Sequence, residues 1–457
     1  MVNELRELMR EATDRPPQDT SDLRALVGSG RRRLRVRRAA QVGAIALASG
    51  AIGVASMWWL NPSPADLAAA GVPRPDGPTI RLTESSPAVE GTDYRELASY
   101  TNEDLNADNG EYFDGVTDDG MVLFREGQTR TRDRERYALM DPATGEKQWL
   151  ADRPGNGEQS WAVDLGEERL VVMRFEVVQG EPAGKFGLNT RPVLDVFDRG
   201  TQAWRTISWP GLPATANPSF VQLGPDGRAY VAVMSDPGNV PEGGWPMGPD
   251  GEADDSDAEG DVRALWSMSL TDSSDVRDES LRVGSFAFDG DSLVWTDSSN
   301  GAAGRVHVRD LASGEETSFD PGLGDRCNLL GFDVLGGRIA MTQHCGVYEG
   351  GVRDDRVQVV TTEGEQVITV QDDGVDAGDL VAGGDFLTLT AYDRATGGTY
   401  VYDFEEGRLL RLSDGLSAWS TGGPTPGDQF MWNTPAGKKV AMFGNSGATV
   451  HLGELIR

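Results

Sequence analysis

The sequence predicts an all-β fold: a β-propeller of seven four-stranded antiparallel blades, preceded by a single transmembrane helix. Three observations predict it. A strand–turn–strand pattern returns seven times beyond residue 100. Glycine is abundant, 58 of 457 residues, which suits short strands joined by tight turns better than packed helices. One uncharged run stands near the N-terminus behind six arginines.

Residues 1–38 form a basic tail, too short to bury a core of its own. In "VNELRELMREA", Leu5, Leu8 and Met9 share one helical face, and Pro16 and Pro17 end that helix. Residues 39–60 are 22 residues without a charge, and about 20 apolar residues span a bilayer as a helix. Trp58 and Trp59 sit at the end of the run, where amphipathic rings favour the headgroup zone. Arg31, Arg32, Arg33, Arg35, Arg37 and Arg38 precede it. The positive-inside rule therefore puts the tail in the cytoplasm and everything after Leu60 outside. A cleaved export signal is the rival reading, and "DLAAAGV" offers it a site. The basic region is too long for a signal, and the run exceeds the apolar core of one. Gly43, Gly50 and Gly53 do not make a helix-pairing G-x-x-x-G motif.

Residues 61–95, rich in Pro, Ala and Ser, read as an extended stalk, within which "PTIRLTE" could add a strand to the domain beyond. The extracytoplasmic domain spans 96–457. Its seven units begin with "YFDGVTDDGMVLFRE", "SWAVDLGEERLVVMRFE", "SFVQLGPDGRAYVAVMS", "SFAFDGDSLVWTDS", "LGFDVLGGRIAMTQH", "GDLVAGGDFLTLTAY" and, most loosely, "AWSTGGPTPGDQFMWN". A second strand pair follows each, and second strands begin near 121, 169, 228, 292, 338, 385 and 429. Four strands at that period make a blade, and a ring of blades buries every apolar sheet face against a neighbour. Six or eight blades are the alternatives if an end unit is misread.

The turns "DPATGEKQWL" and "DLASGEE" resemble blade turns of quinoprotein-like, TolB-like and WD-repeat propellers. Asp141, Thr144, Gly145 and Trp149 match the D-x-x-T-G-x-x-x-W docking motif of the quinoprotein group. The match occurs once, so the resemblance implies the fold and no quinone; no cofactor is expected. The basic tail is similar to the short N-terminal regions of actinobacterial membrane proteins of the anti-sigma type. That resemblance implies a cytoplasmic sigma factor as partner; a charged topology tail lying on the inner leaflet is the alternative, and the favoured one. The His/Cys metal motif of the zinc-binding members is absent, since no His or Cys precedes His307. The scarcity of lysine beside arginine agrees with an actinobacterial, GC-rich source: only Lys147, Lys185, Lys438 and Lys439 are lysines.

With formal net charge −31, the chain repels phosphate backbones, which excludes nucleic acid as a partner of the main domain. The connections between second and third strands are long: 177–192, 236–261 and 345–355. They share one face, and long loops on a rigid scaffold are where binding tends to reside. The candidate binding loop is 236–261, with Trp245, Asp254, Asp255 and Asp257; a solvated acidic insertion is its plain alternative. Asp255, Asp257 and Glu259 imitate the start of a calcium loop, but Trp266 stands where the closing Glu belongs. A metal site there is a weak candidate, and a solvated acidic run is favoured.

Cys327 and Cys345 flank one hairpin, and counting outward from a three-residue turn centred on 336 sets them face to face. In an oxidising compartment this predicts a disulfide, unless a bulge shifts the register. A pair of buried thiols is the rival. A catalytic cysteine served by His344 is disfavoured, because strand neighbours point to opposite faces. His307, His344 and His451 show no metal-ligand spacing, and no nucleophile elbow or phosphate loop is present. No catalytic residue is assigned, and an enzyme is the less favoured class. The leading reading is a membrane-anchored propeller that binds an envelope protein or glycan. A transmembrane regulator docking a sigma factor and an envelope glycan hydrolase are the alternatives.

Overall fold

A computed structural model describes residues 77–456, except 102–109, 128–134, 155–159, 179–188, 216–217, 242–243, 249–252, 324–325, 348–352, 373, 392–395, 414–439 and 445–448. The tail (1–38), the apolar run (39–60) and the start of the stalk lie outside the described residues. Among the described residues no helix is long and apolar enough to cross a membrane.

The chain forms a β-propeller. Blade I contains strands Gly110–Val116, Val122–Gly127, Arg136–Met140 and Lys147–Trp149. Blade II contains Ser160–Leu165, Arg169–Val177, Thr190–Asp198 and Ala203–Ser208. Blade III contains Gln222–Leu223, Ala229–Asp236, Val262–Met268 and Val276–Val283. Blade IV contains Phe286–Asp289, Ser292–Thr296, Val306–Asp310 and Glu316–Phe319. Blade V contains Asn328–Leu335, Arg338–Val347, Arg353–Thr361 and Gln366–Asp372. Blade VI contains Val375–Val381, Phe386–Ala391, Gly398–Asp403 and Arg408–Ser413. All pair antiparallel in chain order, as the repeat predicts.

The expected count needs correction. Six four-stranded blades are present among the described residues, not seven. One further sheet has three strands, in the order Val440–Gly444, Thr449–Leu455 and Tyr94–Thr101. Its outer strand comes from the beginning of the domain rather than its end. The motif "AWSTGGPTPGDQFMWN" lies outside the described residues.

Apolar cores lie between consecutive sheets, which is how each blade buries both faces. Leu123 and Tyr137 of blade I meet Leu170 and Phe197 of blade II. Val171 and Val196 of blade II meet Val231 and Met268 of blade III. The series continues through Leu265 and Leu293, then Val294 and Met341, then Val357 and Leu389. Val381 and Phe386 of blade VI reach Leu455 of the three-stranded sheet. Ala98 and Leu452 of that sheet pack with Phe113 and Val122 of blade I, which returns the series to its start.

The "PTIRLTE" stretch does add a strand. Thr79–Ile80 pairs parallel with the outer strand of blade V, and Ser86–Pro87 does the same on blade VI. Between them Leu82 plugs the core between those blades, 1% exposed. Residues 77–93 are thus a strap across two blade edges. It is fastened at Asp93, which faces Arg408 and accepts from the Ile456 amide.

The turn between third and fourth strands recurs with one mechanism. An aspartate accepts amides from the turn, and four residues later the chain enters the left-handed region. The pairs are Asp141 and Gly145, Asp310 and Gly314, and Asp403 and Gly407, with Asp198 and Gln202 as the non-glycine version. Trp149, by contrast, does not dock on a neighbouring blade. It is 39% exposed, edge-on to Phe124 of its own blade, with the Arg136 guanidinium over its ring. Trp204 does the docking instead: its Nε1 donates to Ala151 O at 2.7 Å and its ring meets Tyr137.

Candidate functional site

Antiparallel order puts the first-to-second and third-to-fourth turns on one face of the propeller. The second-to-third connections share the opposite face. On that face the connection of blade III, between Asp236 and Val262, runs past blade IV to blade V. It is an anchored segment rather than a solvated insertion.

Its base packs backbone to backbone. Asp261 and Ser299 exchange two amide bonds, of 2.6 and 3.1 Å, and Ala302 N donates to Ala258 O at 3.1 Å. A Cβ at Gly301 would meet Ala258 O at 2.4 Å, and one at Gly260 would meet the Ser298 side chain at 2.6 Å. Only glycine permits that approach. The Asp261 carboxylate accepts from Gly238 N and Asn300 Nδ2. The blade IV connection is tied onward, since Asn300 N donates to Leu329 O and Leu329 N to Gly301 O. Three blades are therefore joined in series on this face.

The tip of the connection reaches blade V. Arg326 Nε donates to Asp257 Oδ1 at 2.8 Å, and its Nη2 donates to Ser256 Oγ at 3.0 Å. Asp254 accepts from the Ser256 hydroxyl at 2.6 Å. Asn328, His344, Asp355 and Asp372 stand opposite one another across the four strands of blade V, at the end where the connection arrives. His344 is 1% exposed. Its Nδ1 lies 3.4 Å from Asp355 Oδ1 and its Nε2 3.7 Å from Asp254 Oδ1. Arg353 Nε donates to Asp355 Oδ2 at 3.1 Å, and Gly374 N donates to the same oxygen at 2.9 Å.

Burial works to raise the Asp355 carboxyl, and the adjoining His344 imidazole and Arg353 guanidinium outweigh it, holding it below the usual value. Asp254 behaves alike: burial opposes its ionisation, and bonds from Ser256 with the charges of His344 and Arg326 prevail. Burial wins at Asp255, whose carboxyl is pushed up despite His344 and Arg353.

The acidic residues singled out as a weak metal site do not act together. Asp257 is taken by Arg326 and Asp255 turns toward blade V. Among the described residues no group of three or more His, Cys, Asp or Glu is placed to hold a metal ion. Trp245 is half-buried, while Val240 and Met247 on the same connection are 43% and 65% exposed.

The disulfide forms: Cys327 and Cys345 are bonded, with Cα atoms 4.1 Å apart. Its register departs from the expected one in two places that cancel. The turn has two residues, Gly336 and Gly337, both at positive φ, so Leu335 faces Arg338 and Val334 faces Ile339. A bulge between Leu329 and Gly331 then restores the missing step, and Asn328 faces His344.

Other buried carboxylates are already engaged. Arg125 bonds Asp114 at 2.6 Å and Glu135 at 2.8 Å, while Arg153 and Arg174 share Asp195 at 2.8 and 3.1 Å. Burial still raises the Asp114 carboxyl. Asp333 accepts the Leu380 amide at 2.7 Å, tying blade V to blade VI. Sequence reasoning missed the His344 cluster, because its members come from four separated segments. The one available signal was a histidine beside a half-cystine on a predicted strand.

No protein-family model matches the chain, and no curated protein matches its sequence. Among solved structures it is similar to an oligogalacturonate lyase in complex with manganese. Identity is 12%, over 80% of this chain and 99% of that one, with a TM-score of 0.47. It is also similar to the β-propeller domain of the Trilobed protease from Pyrococcus furiosus, at 10% identity, 73% and 90% coverage and a TM-score of 0.42. A puromycin-hydrolysing peptidase of Mycobacterium tuberculosis shares 14% identity over 80% of this chain and 56% of its own, at a TM-score of 0.44. At such distances these likenesses carry no argument about chemistry, and function must be argued from the site.

Proposed function

We propose that the protein is a membrane-anchored, extracytoplasmic binding module that holds an envelope protein or glycan on its loop-rich face. Residues 39–60 are its anchor, residues 1–38 its cytoplasmic tail, and the propeller its extracytoplasmic domain. One observation carries the reading. The blade III connection is fixed across blades IV and V, yet it leaves Val240 and Met247 exposed. A chain pinned at both base and tip that still presents apolar side chains is a preformed contact surface, with little ordering cost left to binding.

The test shortens the connection without touching its anchors. Residues 239–248 are replaced by a short Gly/Ser bridge, and capture of solubilised envelope protein and of purified cell-wall glycan is compared with the unaltered chain. Loss of capture, with thermal unfolding unchanged, is the expected result. Undiminished capture would refute the assignment of the face.

A further inference from the structure

We propose that the mouth between blades II and III, on the loop-rich face, takes a basic polypeptide segment, with a cationic side chain of that segment seated on the rings of Trp161, Phe175 and Phe220. This assignment rests on the reading of the face given above, and it chooses protein over glycan as the partner.

Three separate segments bring the rings together. Trp161 is the second residue of the first strand of blade II, Phe175 lies near the end of its second strand, and Phe220 is in the link to blade III. Each of those positions is at the loop-rich end. The ring centroids are 5.6, 5.3 and 6.3 Å apart, at interplanar angles of 61°, 69° and 43°. No ring of the three lies flat on another, and all three side chains are half-buried over the core shared by blades II and III. Val177, two residues beyond Phe175 and so on the same side of its strand, is 37% exposed.

The faces of aromatic rings are electron-rich and attract cations. Elsewhere the chain supplies its own: Arg136 lies 4.2 Å from the ring centroid of Trp149, Arg338 4.5 Å from that of Phe404, and Arg309 5.2 Å from that of Trp295. Among the described residues no cation of the chain covers Trp161, Phe175 or Phe220. At this end of blades II and III, Arg174 is held by Asp195 and Arg263 by Asp261. Carboxylates are in surplus there. Glu176 and Asp236 are exposed, and among the described residues neither is paired with an arginine or lysine. Uncovered rings beside unanswered carboxylates make an apolar floor of negative potential. A basic segment is complementary to it, and an anionic glycan is repelled. A neutral sugar would stack on the rings and leave the charge unanswered.

The probe is a short fluorescein-labelled peptide alternating arginine with proline, titrated with the full chain in detergent and followed by fluorescence anisotropy. Saturable binding to the unaltered chain is expected. Trp161→Leu, which keeps an apolar side chain and removes the indole face, should weaken it roughly tenfold. Glu176→Gln combined with Asp236→Asn should weaken it by a similar factor, and both positions are exposed, so this pair does not depend on how well Trp161→Leu folds. Asp291→Asn combined with Glu315→Gln makes an equal charge change at exposed positions in turns of the opposite face, and should leave binding as it was. Absence of saturable binding, or equal losses from the two carboxylate pairs, would overturn the proposal, the second because net charge alone would then be the attraction. So would binding of purified cell-wall glycan that Trp161→Leu abolishes while the peptide is unaffected. Capture that depends on 239–248 beside a silent peptide would keep the face and sink the basic partner. A bound peptide beside capture that ignores 239–248 would do the reverse.

Discussion

Asp119 shows how a single side chain fastens neighbouring blades. It sits in the first turn of blade I, and Arg199, in the last turn of blade II, grips both its oxygens at 2.9 and 2.7 Å. That bond is the main reason its carboxyl is held down at about 2. A depressed folded value means the stabilisation is complete above the unfolded value of about 4 and is lost as pH falls through about 2. Asp119→Asn should therefore lower the thermal midpoint at neutral pH, and the gap from the parent should close as pH approaches 2. A gap that stays constant across that window would show that the pair contributes nothing. At this same scale the sequence was legible where chemistry is local. The turn aspartates and their glycines stand where the motif put them. The cysteine pairing was right, although its register count survived only because a shorter turn and a bulge offset each other. Neither feature is written in the composition of the hairpin. Trp149 matches the motif in residue type alone, since the motif does not specify the neighbour a ring will find.

Strands were legible through their period. Second strands expected near 121, 169, 228, 292, 338 and 385 begin at Val122, Arg169, Ala229, Ser292, Arg338 and Phe386. The second strands carry continuous buried runs, such as Val122–Arg125 and Leu170–Met173, because each blade is covered on both faces. The connection of blade III was legible as long and acidic, but not as anchored. Its fastening depends on Gly260, Gly301 and Arg326, which come from three different blades. The strap was half legible: "PTIRLTE" reads as a strand, yet nothing local reveals that Leu82 would fill the core between blades V and VI. Leu82→Ala should cost about 2–5 kcal/mol. It should also open 77–93 to limited proteolysis before the blades unfold. Cleavage that begins in the blades instead, with 77–93 intact, would mean the strap is no seal.

Closure belongs to the whole molecule. Tyr94–Thr101 pairs with Thr449–Leu455, joining two parts of the chain some 350 residues apart. Periodicity sees units in succession, so it assigned the last unit wholly to the C-terminal residues and missed the strand supplied from the start. Two faces result. One is lined by short aspartate turns, and the other carries the long connections joined across blades III, IV and V. The account depends on the second face being the one that works. The most direct test places a photo-crosslinking residue at Met247 on the connection, and separately at Leu311, which is 38% exposed in a turn of the opposite face. Irradiated in intact envelopes, the Met247 position should give a discrete crosslinked species and the Leu311 position none. Crosslinks from Leu311 with none from Met247 would contradict the account.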